Sequence, residues 1–294
     1  MDILITALSQ GLLWSLMAIG VYITYRILDT ADLSAEGTFP LGGAVAATLM
    51  IQGVSPLVAT FVAIFAGMSA GFVTGILYTK LKIPALLSGI LTMTALYSIN
   101  IRIMGRPNVS LIGQNTLFDA IQTLGIPNQY IPMTVGLICT AIVIGLFYLF
   151  FHTEIGYVLR ATGDNEQMVR AQGVNTDSMK ILGLMLSNGL IAFSGALIVQ
   201  DNGFADVTMG VGTIVIGLAS VIIGEVLFAN LTIAKRLMCV VLGSMIYRMI
   251  IALVLNLGLD PIDLRLISAI VLTITLASPT FKDIISKRTG KRGI

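Results

Sequence analysis

Few residues in this chain are equipped for chemistry, and those few are scattered. There is one histidine, His152, and the two cysteines, Cys139 and Cys239, both fall inside apolar stretches. A metal centre needs several His, Cys or carboxylate ligands brought together, and covalent catalysis needs a nucleophile beside a base. No spacing in the sequence assembles either, so no catalytic residue and no metal site are assigned, and a membrane enzyme is set aside. The thiols read as small hydrophobes rather than as a disulfide framework. A phosphate-binding loop is also missing, because Gly290-Lys291 is followed by Arg292 and not by Ser or Thr. No cofactor is expected on this chain, and nucleotide energy would have to come from another one.

The chemistry on offer is hydrogen bonding and charge at helix ends. It concentrates in Thr153–Asp177, the long polar segment between apolar runs. Asp164 with Gln167 three positions on reads as a capping box, and Gly173 suits the left-handed residue that ends a helix. The piece between, Asn165–Gln172, makes about two turns, or roughly 12 Å, which is too short to stand without a surface to dock on. Asn175 or Thr176 then caps the next long helix. Residues alone leave two readings open: a helix (about 164–173) that inserts into a partner, or an ordinary connection between spans.

A second group lies within the apolar runs. Arg248, beside Tyr247, is a costly charge for a membrane helix and should face the interior. It would either meet an anionic group of a substrate or brace the bundle through a carboxylate such as Glu225. Asn100, Asn188, Gln200 and Asn256 are candidates for hydrogen bonds between helices. Asp32–Gly43 reads as an unwound stretch lining a path, since irregular backbone at membrane depth is tolerated against protein or water. The path candidates are therefore Asp32, Ser34, Glu36, Gly42, Gly43, Asn188 and Arg248. Trp14 reads as packing.

The elements that must position these residues are membrane helices. The chain is 56% hydrophobic and 11% charged, with a mean hydropathy of +0.95, whereas a soluble domain carries roughly a quarter charged residues. The expected fold is an all-α integral membrane protein, a polytopic bundle of about nine spans forming one domain over residues 1–294. Those spans are Ile3–Tyr25, Thr38–Ile51, Pro56–Thr79, Pro84–Met104, Ile131–Phe151, Ile181–Val199, Val207–Gly224, Leu237–Leu257 and Ile262–Pro279, with an error of about one on the count. The first is taken as a retained span rather than a signal peptide.

Lys and Arg favour one side: Arg26, Lys80, Lys82, Arg160, Arg170, Lys180, Lys235, Arg236 and the tail Lys282–Arg292. This leaves only Arg102, Arg106 and Arg265 in the opposite loops and Arg248 inside a span. The opposite loops carry Asp119, Asp201, Asp206, Asp260 and Asp263. The positive-inside rule then puts the N-terminus outside and the C-terminus in the cytoplasm, with the basic tail against anionic lipid. Gly67, Gly71 and Gly75, extended by Ala59 and Ala63, make a smooth stripe for close helix packing. Glycine-rich Gly37–Gly53 follows the first span and Gly203–Gly224 the sixth, in opposite directions. The two halves read as an inverted repeat with broken helices.

The run from Gly156 to Leu197 resembles the signature of the branched-chain amino acid, ribose and nucleoside ABC permease family, G-x-x-x-R-A-x-G-x-N-x-x-x-A-x-x-x-G-I-N. Gly156, Arg160, Ala161, Gly163, Asn165, Gly173 and Asn175 match it, while Arg170 and Val174 depart from it. Asp32-Leu33-Ser34 with Gly37 is similar to the D-L-S-x-G segment of the sugar-type members, with Glu36 as an added acid. The resemblance implies a permease that dimerises in a bacterial-type cell membrane. It also implies cytoplasmic ATPase subunits that hold ATP and Mg, and an extracellular or periplasmic substrate-binding protein. On this reading the ATPase-coupling residues are Gly156, Arg160, Gly163, Asp164, Asn165, Glu166, Gln167, Arg170, Gly173 and Asn175. No nucleic acid is expected as a partner. The whole-chain look is closest to single-permease systems, some resembling importers of aromatic amino acids such as tryptophan. A sugar or nucleoside cargo is the alternative, and a gradient-driven secondary transporter is the rival mechanism.

Overall fold

The computed structural model describes residues 2–122, 127–227, 232–257, 266–270 and 272–273. Lipid offers the backbone no hydrogen-bond partner, so apolar runs of this length satisfy their own N–H and C=O groups as helices. Among the described residues six helices are long and apolar enough to cross a membrane: α1 (Asp2–Tyr22), α3 (Pro56–Thr79), α4 (Ala85–Met104), α6 (Ile131–Phe151), α9 (Thr176–Asn202) and α11 (Ile233–Asn256). Two shorter apolar helices, α2 (Ala35–Ile51) and α10 (Thr213–Leu227), stand where the glycine-rich segments were read. The chain is a polytopic all-helical membrane protein. Between the spans lie α5 (Leu117–Gln122), α7 (Glu154–Asp164), α8 (Glu166–Ala171) and a small antiparallel ribbon of β1 (Asn108–Ser110) and β2 (Phe204–Asp206). Most of the ninth expected span and the basic tail, with Asp260, Asp263 and Arg265, lie outside the described residues.

The packing is that of a repeat with exchanged partners. Helix α9 packs on α3 and α2, while α1 packs on α11 and α10. Each long central helix therefore carries the short helix and the following span of the other half. The two centres are antiparallel neighbours: Ser194 Oγ donates to the Leu13 carbonyl (2.9 Å) and Ser187 Oγ to the Gly20 carbonyl (2.7 Å). Local sequence echoes mark the halves. Leu8-Ser9-Gln10-Gly11-Leu12 in α1 answers Leu186-Ser187-Asn188-Gly189-Leu190 in α9. Asp32 accepts from the Ser34 N–H (2.8 Å) as Asp206 does from the Thr208 N–H (2.7 Å).

The small-residue stripe of α3 is the seam with α9. Gly67 and Gly71 lie against the carbonyls of Asn188 and Leu184, where any side chain would collide with backbone. Ala59 and Ala63 extend the seam and are fully buried. Close approach gives dispersion contacts that lipid cannot replace.

Candidate functional site

After α1 the chain passes through a π-helical turn, Ile23–Ile27, and folds back into the bundle. There Asp32, Ser34 and Asn188 close into one buried knot. Asp32 accepts from the Asn188 amide (2.8 Å) as well as from Ser34 N, and Ser34 Oγ donates to the Asn188 carbonyl oxygen (3.1 Å). Asn188 lies twelve residues into α9, which places the knot about 18 Å from that helix's start. Three residues chosen as path candidates are thus brought together from positions more than 150 apart in sequence.

The expected unwound stretch Asp32–Gly43 is shorter than the sequence suggested. Only Asp32–Ser34 lies outside helix, because α2 begins at Ala35. Gly42 and Gly43 are helical and buried against Ala192 and Val199 of α9, so they serve that seam. Pro40 sits inside α2 and supplies no N–H to the carbonyl four residues back, that of Glu36. Gly210 packs on that carbonyl. The Glu36 carboxylate accepts from the Gly212 N–H (3.0 Å), one residue before α10 begins. The starts of the two short helices therefore meet, with a carboxylate placed where both helix dipoles favour negative charge.

On the other side of the bundle the polar loop forms two helices where one was expected. Thr153 caps α7 by accepting from Gly156 N. Asp164 ends α7, and the cap of α8 is Asn165, which accepts from Met168 N (3.0 Å). The Asp164–Gln167 capping box does not form: the cap lies one residue later, and Gln167 is exposed. Gly173 is left-handed (φ +83°) as expected, and Asn175 caps α9. Gly163 packs α7 directly on the Ile27 carbonyl of the π turn, and Gly156 packs against Phe150 and Phe151 in the turn out of α6. Both glycines seat α7.

Helix α8 is clamped to the start of α9 by charge. Glu166 accepts from Lys180 Nζ (2.6 Å), Arg170 (2.7 Å) and Thr176 Oγ1 (3.1 Å). Asp177 lies 3.6–3.8 Å from Lys80, Lys82 and Arg170, and Lys180 also reaches the Tyr78 hydroxyl (3.2 Å). The hydrogen bond from Lys180 holds the Glu166 carboxyl below its ordinary range, against a smaller opposing effect of burial. Val169 points inward, while Gln167, Met168 and Ala171 face out. Asp177 and Tyr78 were not singled out from sequence, and Lys180 was noted only among the charges of one side. The Glu166–Arg170 spacing of four was the available signal.

A clamped, outward-facing short helix beside a broken-helix core fits the resemblance to the permease family, and a family comparison agrees. The model described as branched-chain amino acid transport system / permease component matches residues 3–277. The chain belongs to this family. It is 46% identical over 98% of its length, and 95% of the relative, to the tyrosine transport system permease protein of Clostridioides difficile. It is 29% identical to the ribose import permease protein RbsC of Escherichia coli K12, over 75% of this chain and 68% of that one. PsaBC from Streptococcus pneumoniae, solved in complex with Fab, aligns with a TM-score of 0.51 over 93% of this chain and 89% of its own at 17% identity, a likeness of fold alone.

In this permease the two remaining cationic candidates sit apart from the groups just described. Arg160 turns inward from α7 over the Tyr157 ring (4.7 Å), donates to the Phe151 carbonyl (3.4 Å) and leaves Nε without a partner. Arg248 lies over the Trp14 ring (4.1 Å), which stacks on Phe39 (5.0 Å). The expected brace to Glu225 is absent, because Glu225 pairs with Arg26 (2.8 Å). Arg248 instead lines an open cleft of about 550 Å³ between α1 and α11, with its Nε unpartnered.

Proposed function

We propose that this permease forms the membrane path of an importer for an aromatic amino acid, driven by a separate ATPase subunit that docks on α8. The clamp carries the coupling half of the reading. Glu166 ties α8 to Lys180 of α9, so a push on the exposed Gln167–Met168–Ala171 face passes to the helix that holds Asn188. A gradient-driven transporter needs no such element. In this reading ATP and Mg belong to the partner, an external binding protein delivers the solute, and two copies of the permease enclose the path. The path is lined from Asp32, Ser34, Glu36, Asn188 and Arg248. The N-terminus is outside and α7–α8 face the cytoplasm, where Lys80, Lys82 and Lys180 gather.

The cargo reading is supported by the 46% identity to a protein named for tyrosine transport. A sugar remains the second reading, supported by the ribose permease relative. Thermal shifts of the cognate binding protein with a panel of aromatic amino acids, ribose and nucleosides decide between them, and silence towards every amino acid rejects the first. For coupling, Met168→Asp should leave the melting temperature nearly unchanged, as surface substitutions usually stay within about 0.5 kcal/mol. It should abolish co-purification with the ATPase and ATP-dependent uptake. Retention of both would place docking elsewhere.

A further inference from the structure

A cleft of about 680 Å³ opens beside α7 between the ends of α1 and α6 and the start of α11. Its walls carry three guanidinium groups, Arg26, Arg160 and Arg236, with His152 at the edge. Glu225 neutralises Arg26, Arg236 engages the Tyr22 hydroxyl, and Asp164 lies on the rim. Three guanidinium charges against two carboxylates leave one positive charge in excess. Arg160 Nε is buried without a partner, a costly state for a donor of a charged group.

The mouth of the cleft continues into an apolar track. Ile138, Ile142 and Leu149 share one face of α6 with His152 and are 45%, 55% and 65% exposed. A side chain built at Gly145, on the same face, would meet nothing within 4 Å, so the track is grooved. Tyr148 and Tyr157, both exposed, flank the opening as aromatic residues do at the membrane–water boundary. A cationic, tyrosine-edged cleft at the end of a lipid-length apolar groove fits one amphiphile.

We propose that this cleft binds the phosphodiester of an anionic phospholipid, such as phosphatidylglycerol, from the cytoplasmic leaflet. Arg160 and Arg236 hold the phosphate, and an acyl chain lies along α6. Basic pockets between membrane helices on the cytoplasmic side recognise such head groups by charge-assisted hydrogen bonds. The leaflet rests on the orientation proposed above; the head-group chemistry does not. A lipid held there touches α7 and thereby the seat of α8, so its occupancy would bear on coupling.

The test uses the full-length permease extracted from its membrane and placed in nanodiscs of phosphatidylcholine alone or with phosphatidylglycerol. Native mass spectrometry should find phosphatidylglycerol retained on the wild type. Arg160→Gln/Arg236→Gln should weaken retention about thirtyfold, at roughly 1 kcal/mol for each of the two basic residues. Lys235→Gln, outside the cleft, should not. Equal retention of phosphatidylcholine and phosphatidylglycerol by the wild type overturns the proposal and needs no variant to fold. Displacement of the lipid by an equal concentration of inorganic phosphate also overturns it, by making the ligand a free anion. Membrane-impermeant labelling of Gln172→Cys reports the side of α7–α8 independently, so a wrong orientation and an empty cleft give different results.

Discussion

Two regions of this permease hold a helix start against α9, and they do it with opposite chemistry. In the Asp32–Ser34–Asn188 knot one buried carboxylate is enclosed by neutral donors, and the position before α2 is satisfied on every side. In the Glu166–Lys180–Asp177 clamp six charged side chains trade ionic contacts at the bundle's edge, and several are more than half exposed. The knot sits where water cannot replace a lost partner, so its hydrogen bonds keep nearly full strength. The clamp sits where water and salt screen it, so its contacts are individually weak and can be exchanged without a large barrier. A fixed pivot inside and a yielding tie outside are what the proposed coupling through α8 requires.

That contrast can be broken at either end. The largest effect is expected for Asp32→Ala, which strands the Asn188 amide and the Ser34 N–H. It should cost on the order of 3 kcal/mol by thermal unfolding in detergent, independent of salt. A loss that changed with ionic strength would mean that the knot is hydrated. Gly163→Val drives a side chain into the Ile27 carbonyl and should cost about 1–3 kcal/mol as overpacking. Because it unseats α7 and leaves the knot alone, ATP-dependent uptake should fall further than stability does. Normal uptake would detach α7 from coupling.

Smaller effects should come from the clamp. Glu166→Gln should cost under about 1 kcal/mol at low salt and nothing measurable at high salt. Its signature is faster hydrogen exchange confined to α8, and exchange equal to that of the wild type would mean that Val169 alone seats the helix. The smallest effect is on pH. Lys180 keeps Glu166 ionised below its ordinary range, so the clamp's contribution is present above the unfolded value. It is lost only as pH falls through the lowered one. Protection of α8 in the wild type and in Glu166→Gln should therefore converge below about pH 4, since a free glutamate titrates near 4.3. Convergence near neutrality would contradict the assignment.

Much of this was legible in the residues. Hydrophobic length placed the six long helices of the described residues, because a helix in lipid satisfies its own backbone. The seventh expected span, Val207–Gly224, is instead a turn followed by the short helix Thr213–Leu227. Gly173 was placed correctly, and the cap of α9 is Asn175, one of the two expected with Thr176, because left-handed backbone and N–H capping each select a short list of residue types. The error at Asp164 came from the same rule: Asp164 and Asn165 are both good caps, and sequence spacing favoured the one with Gln167 three positions later. The structure uses Asn165 because α7 runs through Asp164, held by Thr153 at its start and by the Gly163 contact near its end. Helix α7 went unseen because its residues read as a motif, and its buried face, Gly156, Leu159 and Thr162, is only three residues long. The repeat was noticed through its glycines, although the Leu-Ser-x-Gly-Leu echo between α1 and α9 was the sharper signal.

Sequence by itself determined that the chain lives in a membrane, where its spans lie, and that its polar loop carries a short capped helix. These are local matters, decided by hydration of the backbone and by side chains within four residues of one another. Only the tertiary structure decided partners. It joined Asp32 to Asn188 and Glu166 to Lys180, gave Glu225 to Arg26 rather than Arg248, and turned Arg160 into a cleft. A charged side chain chooses its partner by distance and desolvation in the folded bundle, and no spacing along the chain records which helix will stand beside it.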